Sequence, residues 1–248
     1  ATGHGAVYNI GEKVYGVSSL LWALIVSVGC VCRLDPLAWS RVWLFAADVT
    51  TVLAVGDLVR RHFSLRSAWC VTSLVALWPY EAALAVSGLE MSLFVALIGA
   101  SAWLIDRRSA HAGWAVGLVA IFRPEGILAA GVLALWASRR DRAIALGVFL
   151  CGLFATWAYF GTVIPQSMRA KAVVYGIGGP SASLMWWDWA LPFPLSGALA
   201  ITSEGKDLLP LSLVAFPAAM WGVIESWRRR ACVVTAVVLA CCAVWGLY

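Results

Sequence analysis

Ionisable side chains are scarce in this sequence, and the few that interrupt its apolar stretches are the ones placed to do chemistry. Four groups stand out. "SGLEM" (87–91) sets Glu90 at the head of an apolar run, and "FRPEG" (122–126) sets Arg123 and Glu125 on either side of Pro124. "FGTVIPQSMRAKA" (160–172) carries Arg169 and Lys171 just beyond Gln166 and Ser167. The opening stretch "GHGAVYNIGEKVYGVSSLLW" (3–22) holds Tyr8, Asn9, Glu12, Lys13 and Tyr15 among turn-forming glycines.

Each group has a plain reading beside a functional one. Ser87 and Glu90 are spaced as a capping box that starts a helix, and a carboxylate held there also faces any cavity at that end. Arg123 and Glu125 fit a local ion pair, but a guanidinium in that position can also hold a phosphate bidentately. Arg169 and Lys171 fit anchors reaching into a headgroup layer, or fixed positive charge for a departing phosphate. The opening stretch reads as a structured loop that by itself identifies no reaction. A charge at membrane depth is costly, so each group is a functional candidate.

The elements around them are apolar. Hydrophobic residues are 62% of the 248, charged residues 12%, and there are 15 Trp. A soluble domain is nearer half apolar and a quarter charged, so this composition predicts an all-α, polytopic transmembrane helix bundle. Apolar segments fall at 17–32, 41–59, 67–80, 89–105, 112–122, 126–137, 143–161, 208–226 and 231–247, and no internal repeat relates them. Spans of roughly 20 residues make this about seven to nine segments in one domain, 1–248. Two segments, 112–122 and 126–137, are too short to cross separately without mismatch. They predict either a broken hairpin or one span kinked at Pro124. Residues 162–207 are too aromatic for a solvated linker, with "WWDW" at 186–189, and predict a long extracytoplasmic or re-entrant loop.

The net charge of +5 is not a nucleic-acid footprint, and no nucleic-acid partner is expected. "RRHFSLR" (60–66), "DRRSAH" (106–111), "SRRDR" (138–142) and "WRRR" (227–230) hold eleven of the 18 Lys and Arg. These loops alternate with poor ones if every segment from 67 onward crosses, which puts the basic loops inside and 80–90, 122–126 and 162–207 outside. Counting backward places the opening stretch inside too, provided that 17–32 and 41–59 both cross. The seven cysteines and the three His at 4, 62 and 111 show no metal-ligand or disulfide spacing, so no metal site is expected. Walker, dinucleotide and nucleophile-elbow signatures are absent.

Taken together, the four groups resemble GT-C class membrane glycosyltransferases. The opening stretch resembles "G-x-x-Y-N-x-G-E-x-V-x-G-x-[ST]-S-x-L-W", which follows that family's first external loop, so that 1–16 would be the remainder of this loop. "SGLEMSLF" resembles "S-G-[LM]-E-T-x-L-[FY]". "RPEG" and "FGTVIPQSMRAKA" resemble "R-P-[ED]-G" and "F-G-x-x-[LI]-P-N-[ST]-x-x-A-K". The matches run in order from residue 3 to about 175, and they are most similar to the bacterial, mycobacterial-type terminal arabinofuranosyltransferase branch.

The resemblance implies an integral protein of the bacterial plasma membrane with its site on the extracytoplasmic side. It would transfer a sugar, arabinofuranose among the candidates, from a polyprenyl-phosphate donor to a cell-envelope glycan. Donor phosphate would meet Arg169, Lys171 and Arg123, and Glu90, Glu125, Gln166, Tyr8, Asn9 and Glu12 would line the substrate cavity. The partners implied are the bilayer, the lipid-linked sugar and the glycan acceptor; a divalent metal is left open. Gln166 stands where the family has Asn, and Met91 where it has Thr. The family's acidic pair, whose carboxylate acts as general base, lies a dozen or so residues before the opening motif. That position would precede Ala1, so the chain is expected to be a fragment, inactive alone. The resemblance also requires the opening stretch outside, against the backward count. A transporter or lipid-carrier flippase, or a non-catalytic membrane scaffold, would use the same polar residues differently.

Overall fold

Polar caps set several of the helix starts. The structure, a computed structural model, describes residues 14–77, 86 and 88–166. Ser19, Asp35, Ser64 and Ser138 each take extended backbone, and their side-chain oxygens accept from a backbone N–H in the first helical turn. They open α1 (Leu20–Val31), α2 (Pro36–His62), α3 (Leu65–Ala76) and α7 (Arg139–Phe160). Between the last two lie α4 (Met91–Asp106), α5 (Ala112–Phe122) and α6 (Gly126–Ala134). All regular structure among the described residues is α-helical. The apolar segments at 208–226 and 231–247, and all but the first residues of the 162–207 loop, lie outside the described residues.

Two of these helices are long and apolar enough to cross a membrane: α2, with 27 residues, and α7, with 22. On α7 the side chains of Leu146, Leu150, Phe154 and Trp157 are all more than half exposed. So much uncovered apolar surface on one helix is costly in water and is relieved by lipid or by further apolar elements. The core lies on the other side, around Leu44 of α2, Phe94 and Ile98 of α4, Val116 and Val119 of α5 and Leu133 of α6, all essentially inaccessible.

Helix direction follows from what meets at each end. At one end Arg41, in the first turns of α2, donates to the Val86 carbonyl just ahead of α4. At the other, His62 at the end of α2 meets Asp106 at the end of α4, with Nε2 and Oδ1 2.7 Å apart. The two helices therefore run parallel. The second end is staked by Asp57, whose carboxylate accepts from Arg60 (2.7 Å), Arg61 (2.9 Å), Arg107 (2.9 Å) and the Trp103 indole (2.8 Å). This is the end that carries the basic loops 60–66, 106–111 and 138–142.

The short segments 112–122 and 126–137 form a hairpin, not a kinked span. Pro124 pushes the residue before it into extended backbone, and Arg123 sits at φ −144°, ψ 154°, so α5 stops at Phe122. Helix α6 then turns back so closely that a Cβ at Gly126 would run into the Val119 carbonyl oxygen. On its other flank α5 packs against α7 through Gly113 and Gly117, where a Cβ would come within 2.6 Å of Asp141 O and Val148 Cβ respectively.

Helix α1 bears on the conflict over the opening stretch, of which residues 14–22 are described. It has 12 residues, about 18 Å of helix, well short of a span. Ser18 ahead of it bonds to Glu90, and Leu37 beyond it lies against Gly88. The chain thus enters α1 and leaves for α2 at the same end of the bundle. Of the segments 17–32 and 41–59, only α2 runs from one end of the bundle to the other, which removes the premise of the backward count, and residues 14–19 lie opposite the basic loops.

Candidate functional site

Three of the four sequence groups converge at the end opposite the basic loops, and the fourth is tied to them. Glu90 is the N-cap residue of α4, and Arg123 is the last residue before Pro124. Glu125 precedes α6 as its N-cap residue. Arg123 Nη1 donates to Glu90 Oε1, and its Nε donates to Glu125 Oε2 at 3.3 Å. Ser18 Oγ adds a third contact, donating to Glu90 Oε1 at 3.1 Å. The guanidinium side chain is only 7% exposed, those of Glu90 and Glu125 11% and 17%.

A buried charge of this kind needs both a partner and a stiff support. The support is aromatic. Phe94, one turn into α4, and Phe122, the residue before Arg123, stack with ring centroids 6.0 Å apart and planes 5° from parallel. Both rings are almost wholly buried. They hold the start of α4 and the end of α5 at the spacing that the Glu90–Arg123 pair requires.

The fourth group joins through the chain before α1. The Gln166 backbone N–H donates to the Tyr15 carbonyl at 2.8 Å, and the Tyr15 ring stacks on Phe160 at 5.0 Å. Burial pushes the Tyr15 hydroxyl above its ordinary pKa, keeping it a hydrogen-bond donor. Tyr15 is three residues from Ser18, so the end of α7 is drawn to the same end of the bundle as Glu90 and Arg123.

The structure bears on two sequence readings. The capping box rests on Ser87, which lies outside the described residues; Glu90 is itself the N-cap residue of α4 and its side chain engages Arg123 and Ser18. Arg123, expected on a donor phosphate, has its guanidinium turned to two carboxylates. Two carboxylates around one guanidinium give the trio a formal charge of minus one, better suited to sugar hydroxyls than to an anion. Gln166 contributes a backbone contact. Tyr8, Asn9, Glu12, Ser87, Arg169 and Lys171 lie outside the described residues.

Sequence reading overlooked Ser18 and Asp48. Asp48 sits mid-way along α2 and faces Ser92 of α4, whose Oγ is fully buried and makes no hydrogen bond among the described residues. Its signal was available, since an aspartate inside the apolar run 41–59 is an ionisable group at depth. Ser18 gave no such signal. Among the described residues no three His, Cys, Asp or Glu side chains gather as a metal-ligand set. The chain matches no protein-family model, no curated protein and no solved structure, so the site is read from its own chemistry.

Proposed function

We propose that this chain is the membrane-embedded part of a glycosyltransferase that moves a sugar from a polyprenyl-phosphate donor to a cell-envelope glycan. In this reading the bundle is polytopic, with seven or eight of the nine apolar segments spanning and the 162–207 loop on the extracytoplasmic side of a bacterial plasma membrane. The observation that carries it is the gathering of Ser18, Glu90, Arg123 and Glu125 at the end opposite the basic loops, with Tyr15 and Gln166 beside them. A set of acidic and hydroxyl groups on the outer side is what recognition of a sugar rich in hydroxyls calls for.

The division of labour follows from charge. Arg123 is engaged by two carboxylates, so its work is to fix their positions while they accept hydrogen bonds from sugar hydroxyls. Arg169 and Lys171 supply the positive charge that a departing phosphate must meet. The base that takes the acceptor's proton must come within about 3 Å of that hydroxyl; no described carboxylate is assigned to it.

The test is transfer in the host's own membranes, where the protein is present as the cell makes it. Labelled polyprenyl-phosphate arabinofuranose and a glycan acceptor are supplied, and label reaching the glycan is counted. Transfer should depend on the gene, and Glu90→Gln or an Arg169→Gln/Lys171→Gln pair should lower it by about 10²–10³-fold. Transfer unchanged by deleting the gene would overturn the reading, with other lipid-linked sugars tried before arabinofuranose is abandoned.

One observation favours a second reading, a transporter or lipid-carrier flippase. The paired half-length helices α5 and α6 meet at a buried charged turn, as broken helices do around transported substrates. Movement of a labelled lipid carrier across proteoliposomes, without glycan labelling, would select it.

A further inference from the structure

At the basic end a cavity of about 640 Å³ opens between the end of α4, the turn into α5 and the start of α7. Four charged side chains from three elements line it: Asp106, Arg108, Arg140 and Asp141. The carboxylates are already engaged. Asp106 meets His62 Nε2 at 2.7 Å and Arg61 Nε at 3.9 Å, and Asp141 accepts from Ser138 Oγ at 2.5 Å. Arg108 and Arg140, by contrast, make no side-chain hydrogen bond or ion pair with any described residue. The uncommitted charge in the cavity is therefore positive.

The backbone adds to it. Helix α4 ends in a paired turn in which Ser109 N–H reaches Leu104 O at 2.9 Å and Arg108 N–H reaches Ile105 O at 3.0 Å. The left-handed position of this turn usually belongs to glycine, and here Arg108 occupies it at φ 51°. The first turn of α7, 22 residues long, starts at the cavity wall with Ser138, and its N-terminal N–H groups favour an anion. Ile105, Trp136 and Ala137 form an apolar flank of the cavity. Charge on one side and hydrocarbon with an indole on the other is the pattern of the headgroup region.

We infer that this cavity binds the phosphate of an anionic phospholipid headgroup, held by Arg108 and Arg140, with the acyl chains descending past Trp136. The apolar flank decides for a lipid over a soluble phosphate, and basic pockets between spanning helices on the inner side take such headgroups. The inference rests on the bundle lying in a bilayer and is independent of the transfer reaction. It assigns this end to lipid recognition and leaves substrate chemistry to the Glu90 end.

The experiment is lipid binding to the full-length protein in detergent, after delipidation, followed by native mass spectrometry and thermal shift. Phosphatidylglycerol should bind as a retained copy and raise Tm, phosphatidylcholine should bind at least tenfold more weakly, and inorganic phosphate should compete only in large excess. The variant Arg108→Gln/Arg140→Gln should lose at least tenfold in phosphatidylglycerol affinity while its lipid-free Tm stays unchanged. Arg139→Gln/Arg142→Gln removes the same charge outside the cavity and should bind as the unaltered protein does. Equal loss in both double variants would replace the pocket by general charge attraction and overturn the inference. So would undiminished binding by Arg108→Gln/Arg140→Gln, or equal protection by inorganic phosphate, which would make the ligand a soluble phosphate. Protein that stays monodisperse without detergent would remove the bilayer premise, an outcome distinct from either.

Discussion

Arg123 and Glu90, 33 residues apart in sequence, form a buried ion pair between the start of α4 and the end of α5, and Ser18 from the chain before α1 donates to the same carboxylate oxygen. Removing one partner of such a pair leaves an uncompensated charge, which costs about 3–5 kcal/mol. Arg123→Gln strands two carboxylates and should destabilise by about that amount, whereas Glu90→Gln leaves Arg123 paired with Glu125 and should cost less. The double variant should fall short of their sum, with a coupling of about 0.5–3 kcal/mol. Denaturant unfolding in detergent measures all three. Additive losses would mean that the two side chains do not act on each other.

The Asp57 hub makes a different kind of prediction, because its partners differ in exposure. Arg60 is 61% exposed, and its bond to Asp57 is an exposed i,i+3 pair of the sort worth about 0–1 kcal/mol. Asp57 itself is the common acceptor for Arg60, Arg61, Arg107 and Trp103, joining α2 to α4. Asp57→Asn should therefore lower Tm clearly more than Arg60→Gln. Equal Tm values for the two variants would reduce the hub to separate surface contacts.

How much of this was legible in the sequence depended on the range of each signal. The bounds of α5 were readable as 112–122, because Pro124 stops a helix by local sterics. Helix α2 begins at Pro36 and not at 41, since an Asp35 cap with proline next in line marks a start that hydropathy does not register. The groups around Glu90, Arg123 and Gln166 were visible as polar interruptions, and their convergence needed only the right alternation of spans. Ser18 was not legible, because its role is created by a partner 72 residues away. The engagement of Arg123 by two carboxylates was hidden for the same reason. The resemblance alone asked for one of 17–32 and 41–59 not to cross fully, and hydropathy did not say which, since an apolar run reads alike whether it crosses or lies along one end.

Two glycines in α6 separate close packing from mere helix propensity. At Gly126 a Cβ would strike the Val119 carbonyl and approach Phe94 Cε2 to 3.2 Å, so Gly126→Ala has to push α6 off α5. A loss of about 1–3 kcal/mol is expected. At Gly131 a Cβ would meet nothing within 4 Å among the described residues. Gly131→Ala should then stabilise by roughly 0.5–1 kcal/mol through helix propensity alone. Unfolding midpoints of the two variants, measured side by side, check the opposite signs. Loss at both positions would remove the argument that the hairpin depends on contact at Gly126.

The non-crossing α1 can be tested by asking which side of the membrane each end reaches. Helix α7 runs 22 residues, about 33 Å, from the basic end to Phe160. Thr162 and Ser109 should thus lie on opposite sides. Gly16 is the deciding position: it is exposed, and a Cβ there meets nothing within 4 Å, so Gly16→Cys is tolerated. On a background with the native cysteines replaced, a membrane-impermeant maleimide added to intact cells should label Gly16→Cys and Thr162→Cys. Ser109→Cys should label only after permeabilisation, because it shares its end with the basic loops. Labelling of Gly16→Cys together with Ser109→Cys would mean that α1 crosses. That result would also separate Ser18 from Glu90 by the thickness of the bilayer and dismantle the site.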